Sequence, residues 1–465
     1  MNAPSLKTLA VGLGLCLAAD NLMAQVTQTN LYSFGGLPDG EVPVAGLVQG
    51  SNGNFYGTTS AGGTSFNGGT IFQISPSGSY SNLYSFGSQP NDGSQPQARL
   101  VQGTDGNFYG TTTYGGISLG TVFRISPSGS YSNLYSFGSQ PNDGRSPLAG
   151  LVQGTDGNFY GTTSAGGTSL NGTVFRISPS GSYSNLYSFG SQPNDGDEPV
   201  SGLVQGSDGN LYGTTYSGGT YGSGTVFRIS TSGSHTNLYS FGSQPNDGNE
   251  PNVGLVEGSD GNFYGTTYFG GTNGSGAAFR ISPSGSYSNL YSFGSLPNDG
   301  SKPVGGLVQG SDGNFYGATF NGGSNLNGTV FRISPSGRCS NLYSFASQPN
   351  YQDQGGLVQG SDGNFYGTTS QGGSNTFGTV FELVVPFNPP ANKISALQIV
   401  STNVLVTMPS VAAELCRLQY RTSLTTGIWS NVAGASATSI GGSLTMTNLG
   451  GFSPTQRFYR VAITP

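Results

Sequence analysis

The stretch Gly150-Leu-Val-Gln-Gly-Thr-Asp-Gly-Asn-Phe-Tyr-Gly-Thr-Thr163, continuing through Gly172-Thr-Val-Phe-Arg-Ile-Ser-Pro-Ser-Gly181 to Asn185-Leu-Tyr-Ser-Phe189, decides the fold. It recurs to about residue 384, with its Leu-Val pair at Leu47, Leu100, Leu151, Leu203, Leu255, Leu307 and Leu357. The gaps are 53, 51, 52, 52, 52 and 50 residues. A near-constant period of this size is the mark of a repeat architecture. No part of the unit has helical periodicity. Each copy gives four short runs rich in aromatic and β-branched residues, punctuated by turn signals.

In the second copy, strand A is expected at Arg99-Leu-Val-Gln-Gly103, and an Asp105-Gly turn follows. Such a turn needs a residue at positive φ. Strand B is Asn107 to Thr112, strand C is Gly120 to Ser126, and Pro127-Ser-Gly leads to strand D, Tyr131 to Phe137. Successive residues of a strand face opposite sides. Phe123 and Ile125 therefore oppose Val122, and Leu134 opposes Tyr135 and Phe137, so each sheet is apolar on both faces. Radially packed blades cover both.

The ends of the array choose between a ring and an open solenoid. The array begins with a lone strand D, Asn30-Leu-Tyr-Ser-Phe, and stops after a strand C, Gly378-Thr-Val-Phe-Glu-Leu. Seven A-B-C sets and seven D strands then sum to seven whole sheets if the N-terminal strand completes the last one. A solenoid would instead need distinct capping units. The expectation is an all-β chain: a seven-bladed β-propeller over residues 25–385, within the usual range of blade numbers.

The pattern Gly-Leu-Val-Gln-Gly-Ser-Asp-Gly-Asn-Phe-Tyr-Gly-Thr-Thr, then Gly-Gly, then Gly-Thr-Val-Phe-Arg-Ile, resembles the GloVer tandem repeat. That repeat occurs in secreted proteins of Verrucomicrobia and Gloeobacter, with no defined biochemical activity attached. The resemblance covers residues 28 to 384. The Asp-Gly-Asn-Phe-Tyr core is also similar to NHL-type propeller blades, which bears on fold and not on function. The Gly-Gly pairs are similar to those of kelch blades, but the tryptophan of that pattern is missing, the only Trp being Trp429.

Composition agrees with a packed, secreted β protein. Of 465 residues, 80 are Gly and only 8% are charged, against about a quarter charged in ordinary domains. The 25 Tyr and 27 Phe argue against disorder, because disordered chains are poor in aromatics. A net charge of −6 leaves no basic face for nucleic acid. Residues 1–24 read as a signal peptide: Lys7, an apolar core from Leu9 to Ala19, and Leu22-Met-Ala24 before cleavage. The apolar run is too short to span a bilayer. Leu15 before Cys16 does not suit lipidation, and Cys339 and Cys416 do not make a disulfide scaffold. A secreted, extracellular or cell-surface monomer is expected, without a membrane span in the mature chain.

Phe387-Asn-Pro-Pro-Ala-Asn reads as the core of a linker over 386–394. Short alternating runs over 395–465 suggest a small fibronectin- or immunoglobulin-like β-sandwich. Leu418-Gln-Tyr-Arg-Thr-Ser with Phe458-Tyr-Arg-Val resembles C-terminal modules of Verrucomicrobial secreted proteins. No sortase motif is present.

Nothing in the repeat forms a catalytic set. His235 and Cys339 occupy the position held by Tyr80, Tyr131, Tyr183 and Tyr287, and read as packing substitutions. The turn Asp (Asp105 and its equivalents) and the loop Asp (Asp92 and its equivalents) recur in most units, whereas a catalytic pair is a single asymmetric constellation. They read as turn builders. Ca2+ is the alternative use of such carboxylates, but the EF-hand spacing is absent, and no cofactor is expected. The recurring Arg124, Arg176, Arg228, Arg280 and Arg332 suit pairing with a neighbouring carboxylate.

Variation between units collects in the B-to-C and D-to-A loops, which share one face. Variable loops on a fixed scaffold are what a binding surface looks like, and unconstrained drift would look similar. Tyr114, Tyr216, Tyr221, Phe269 and Phe320 lie in or beside these loops and are the candidate ligand-binding residues. The expected function is non-catalytic binding of an extracellular glycan or protein. The alternative is a hydrolase or lyase acting on extracellular polysaccharide.

Overall fold

The computed structural model describes residues 26–64, 67–346 and 356–385, together with six strands between 396 and 464. The signal peptide expected over 1–24 and the linker expected over 386–394 lie outside the described residues. No helix forms among the described residues, and none is therefore long and apolar enough to cross a membrane.

Seven four-stranded antiparallel sheets form the blades of a β-propeller. Blade 2 is typical, with strands A Val101–Gln102, B Phe108–Thr112, C Thr121–Ile125 and D Tyr131–Ser136. Blade 7 takes A, B and C from Val358–Gln359, Phe365–Thr369 and Thr379–Val384, and its outer strand is Thr27–Ser33. The ring is closed by the N-terminal strand, as the strand arithmetic requires. The chain beyond residue 395 forms two three-stranded sheets, Ala396–Val400, Asn403–Ser410 and Gly442–Asn448 in one, Leu415–Arg421, Ser430–Thr438 and Phe458–Thr464 in the other.

Burial explains why the blades need each other. Every residue of strand B is buried in six blades, as are Phe315 to Thr319 in blade 6, and so is nearly every residue of strands C. Among the described residues of the ring, each of seven apolar clusters spans two adjacent blades. Tyr56, Ile71 and Phe86 of blade 1, for instance, pack on Leu100, Phe108, Phe123 and Ile125 of blade 2. The strand B tyrosine of one blade stacks on the strand B phenylalanine of the next, as in Tyr56–Phe108 at 4.0 Å and Tyr109–Phe159 at 3.9 Å, except that Tyr160 meets Leu211 of blade 4. Phe55 against Tyr366, at 4.1 Å, carries the stack across the closure. Strand B also needs its glycine. A Cβ on Gly110 would lie 2.6 Å from the Phe123 ring.

Polar links run around the same ring. The N–H after each strand A donates to the strand A glutamine of the next blade: Ser51 to Gln102 at 2.9 Å, Thr104 to Gln153 at 2.9 Å, and so on to Ser361 and Gln49 at 2.9 Å. Glu257 replaces glutamine once and accepts the same bond from Ser207. Each is an exposed bond worth at most about 1 kcal/mol, and together they link every blade to the next.

Three local expectations change. Strand A shortens to two residues in most blades, because the segment before it lines the axial channel and has no ladder partner; only blade 6 has a long one, Gly300–Gln309. A bulge at Leu134 breaks the alternation of strand D, since Val122 pairs with Tyr135 but Phe123 with Asn133. Leu134 and Tyr135 therefore reach the same apolar cluster. The D-to-A and B-to-C loops are partly ordered into ladders, such as Gly144–Arg145 with Ala165–Gly166.

The packing role of His235 and Cys339 is visible. His235 stacks on Tyr187 at 4.3 Å, where Tyr131 stacks on Tyr84 at 4.2 Å. Cys339 packs beside Phe293 and Phe331, and burial pushes its thiol up to about 12. That is an inert thiol. Gln28 holds the equivalent place in blade 7 and accepts from Tyr343.

Two tests follow from the packing. Removing residues 28 to 36 exposes the edge of blade 7 and deletes the buried Phe34. One buried Phe alone is worth about 3–5 kcal/mol, so the melting temperature should fall by roughly 10 °C or more. An unchanged melting temperature would refute closure. Burial also holds the His235 imidazole down, at about 4. Its folded value lies below the unfolded value of about 6.5. The stability it carries is thus full above pH 6.5 and is lost as the pH falls toward 4, with about 2 kcal/mol gone at pH 5. His235→Tyr should be neutral or stabilising at pH 7 and should remove this part of the acid slope. Parallel pH–stability curves for the two proteins would contradict this.

Candidate functional site

The D-to-A and B-to-C loops are built on a repeated anchor. The buried carboxylate of Asp92 accepts from the backbone N–H of Gly87 and Gln89 and from the Tyr84 hydroxyl. Asp143, Asp195 and Asp247 repeat this arrangement, and the Tyr291 hydroxyl donates to Asp299 in the same way. The loop aspartates are turn builders, as expected. Among the described residues no three His, Cys, Asp or Glu side chains group as a metal centre.

Beyond the anchor, one residue per loop takes the left-handed conformation without being glycine. Val42, Gln95, Ser146, Glu198, Glu250 and Lys302 have φ between 52° and 57°. This costs roughly 1–3 kcal/mol each and needs surrounding support. The support is a bond on either side. Glu250 donates its N–H to the Ser223 carbonyl of blade 4, at 3.1 Å, and its carbonyl accepts from Tyr268 of its own blade, at 3.1 Å. The backbone is constant while the side chain it displays changes from blade to blade.

The residue that pairs with this position also changes. Among the described residues it is Ser60, Thr113 and Ser164 in blades 1, 2 and 3, and Tyr216, Tyr268 and Phe320 in blades 4, 5 and 6. Three adjacent blades thus carry a half-buried aromatic crescent, beside Glu198, Glu250 and Lys302. The side chains interlock across blade boundaries. Tyr216 donates to Glu250, and that bond, more than burial, pushes the phenol up to about 12. Lys302 Nζ lies 5.3 Å from the ring centroids of both Tyr268 and Phe269, which meet edge to face at 4.8 Å.

Of the five candidates, Tyr216, Phe269 and Phe320 belong to this crescent or touch it. Tyr114 and Tyr221 stand at separate loop tips, 49% and 57% exposed. Tyr268 and the charged trio are the residues that reading the sequence missed. Aligning the units on Thr-Thr gives the signal: the next residue is aromatic in three consecutive units and Ser or Thr elsewhere.

The two faces differ in apolar exposure. Every exposed large hydrophobic side chain among the described residues lies in these loops: Leu37, Ile117, Leu170, Leu296 and Leu326, with the two loop-tip tyrosines. The opposite face carries tight polar turns. Burial alone would raise the Asp105 carboxyl, but bonds from Asn107 and the Tyr109 hydroxyl outweigh it and hold it below the usual carboxylate range, with help from the Arg124 charge.

Comparison with known proteins gives the family. No curated protein matches the chain. Similar solved structures include a lectin from Burkholderia pseudomallei (11% identity, 75% of this chain and 96% of that one, TM-score 0.45). An exo-β-1,3-galactanase from Clostridium thermocellum is 12% identical over 76% of this chain and 94% of that one, with a TM-score of 0.35. Puromycin hydrolase is 14% identical over 70% of this chain, with a TM-score of 0.43, and the matched region spans 50% of that enzyme. The model of the Gloeobacter/Verrucomicrobia repeat matches residues 21–206 and 182–381. With most of its length accounted for by that repeat, and with seven blades built from it, the chain belongs to the Gloeobacter/Verrucomicrobia repeat family.

Proposed function

We propose that this chain is a secreted, non-catalytic binding protein whose loop face takes an extracellular ligand, and that the ligand is a glycan seated on the Tyr216–Tyr268–Phe320 crescent. The carrying observation is the crescent itself: aromatic rings at one repeat position in three adjacent blades, on a backbone held by bonds from both sides. Aromatic faces cover the apolar C–H side of a sugar ring, and neighbouring carboxylate and ammonium groups bond its hydroxyls. A protein partner fits the same face through the exposed Leu37, Ile117, Leu170, Leu296 and Leu326.

One observation favours a second reading. Glu198 and Glu250 both act electrostatically on Tyr216, and a pair of carboxylates is what a glycoside hydrolase uses. Product release from a polysaccharide, lost in Glu250→Gln, would establish that reading in place of binding.

A glycan array and a panel of soluble polysaccharides test the proposal. Replacing Tyr216, Tyr268 and Phe320 together by Ser installs the residue of blades 1, 3 and 7, so the fold should hold. Three rings at about 1 kcal/mol each predict a loss of affinity of about a hundredfold or more. Binding that survives the triple change but fails when the Asp-Gly-Asn turns are altered would place the site on the other face.

A further inference from the structure

The seven strand A segments surround an axial cavity of about 430 Å3, lined mainly by Val, Leu, Ala and Gly. A cavity of that size lies in the lower range of small-molecule sites. Its lining is repetitive, so departures from the repeat stand out. The residue before the strand A leucine is glycine in six blades: Gly46, Gly150, Gly202, Gly254, Gly306 and Gly356. In blade 2 it is Arg99. Close approach favours glycine at several of these positions: a Cβ on Gly46 would lie 2.6 Å from the Gly356 carbonyl oxygen, and one on Gly150 2.5 Å from the Arg99 carbonyl oxygen.

Arg99 is the one charged side chain among the described residues that line the cavity. It is exposed to the channel's solvent, yet protein atoms crowd it, and this desolvation pulls its pKa down. The group still stays protonated. Its guanidinium offers five N–H donors, and the hydrogen bonds of the described residues include none from it. A cation so placed is costly unless paired.

A second departure lies two positions earlier in the repeat. The side chain there is Val44, Leu148, Val200 and Val304 in four blades, Gln97 in blade 2 and Asn252 in blade 5. Asn252 Oδ1 is buried and has no hydrogen-bond donor. Leaving a buried acceptor unpaired costs about 1–3 kcal/mol. Blades 2 and 5 are three apart in the ring of seven, so Arg99 and Asn252 come from well-separated sides of the cavity.

We propose that the axial cavity is a binding site for a small hydroxylated carboxylate, its carboxylate on Arg99 and a hydroxyl donating to Asn252. One guanidinium matches a monoanionic carboxylate in a two-pronged bond. A phosphate dianion would find half the charge it needs. The orphan acceptor requires a donor, which the hydroxyl supplies, and the aliphatic walls suit the carbon skeleton. This site is separate from the crescent and does not depend on it.

Calorimetric titration with galacturonate and gluconate tests this, with galactose and inorganic phosphate as controls. The two acids should bind at millimolar concentration or below, and galactose and phosphate should not. Arg99→Gly, which restores the residue of six blades, should weaken binding by roughly ten- to a hundredfold with the melting temperature retained. Asn252→Val, which matches blades 1, 4 and 6, should weaken it by about tenfold. The triple crescent variant should bind the acids as the wild type does. Galactose or phosphate binding as well as the acids, unchanged binding in Arg99→Gly, or no binding of either acid by the wild type would each overturn the proposal.

Discussion

Each four-stranded sheet of this protein is apolar on both faces, and that constraint governs the rest. A sheet with one apolar face can leave the other to water, whereas these cannot. Phe123 and Ile125 lie in one cluster and Val122 in the next, so blade 2 is held from both sides. Any open array would leave one such face bare at each end. Closing the ring removes both ends at once, which is why the chain lends its first strand to its last blade. The closing interface repeats the internal ones: Tyr32 stacks on Tyr80 at 4.0 Å, as Tyr84 does on Tyr131, and Thr368 bonds the Ala45 carbonyl at 2.8 Å, as Thr111 bonds that of Ala149 at 2.9 Å.

A scaffold so heavily linked between blades relieves the loops of a packing role. Among the described residues, each D-to-A loop is set by an aspartate and held by one bond to the blade before and one within its own blade. The left-handed residue then projects a side chain whose identity has little effect on the fold: Val42, Gln95, Ser146, Glu198, Glu250 and Lys302 share one backbone geometry. The inner wall works alike. Glycine is the rule beside the axis, and a single arginine can be accommodated without moving the blades. Function in this family member is therefore read from departures between otherwise identical units, and the departures gather on the loop face and in the cavity.

Much of the architecture was legible in the sequence because it is written seven times. The period, the one-plus-three strand offset and the tyrosine column containing His235 all come from comparing units. What was not legible is of two kinds. The bulge at Leu134 and the left-handed backbone at Glu250 and Lys302 depend on tertiary hydrogen bonds, and nothing in the residue types marks them. Tyr268 and Arg99 were visible in principle. Tyr268 stands out only down the column that also holds Tyr216 and Phe320, not along its own loop. Arg99 looked like the first residue of a strand until the structure placed its six glycine counterparts around the axis. Tyr114 and Tyr221 share the aromatic character and the variable loops of the other candidates, but they stand exposed at loop tips apart from the crescent.

The central claim is that the N-terminal strand is as much a part of the ring as any internal strand D. Native-state hydrogen exchange compares them within one molecule. Amides in stable elements exchange only through global opening, while frayed ones exchange through small local openings. The account predicts that the bonded amides of Thr27–Ser33 exchange as slowly as those of Tyr131–Ser136 and Tyr183–Ser188. Exchange of the N-terminal strand orders of magnitude faster than its internal counterparts would show a ring that opens there, and would contradict the account.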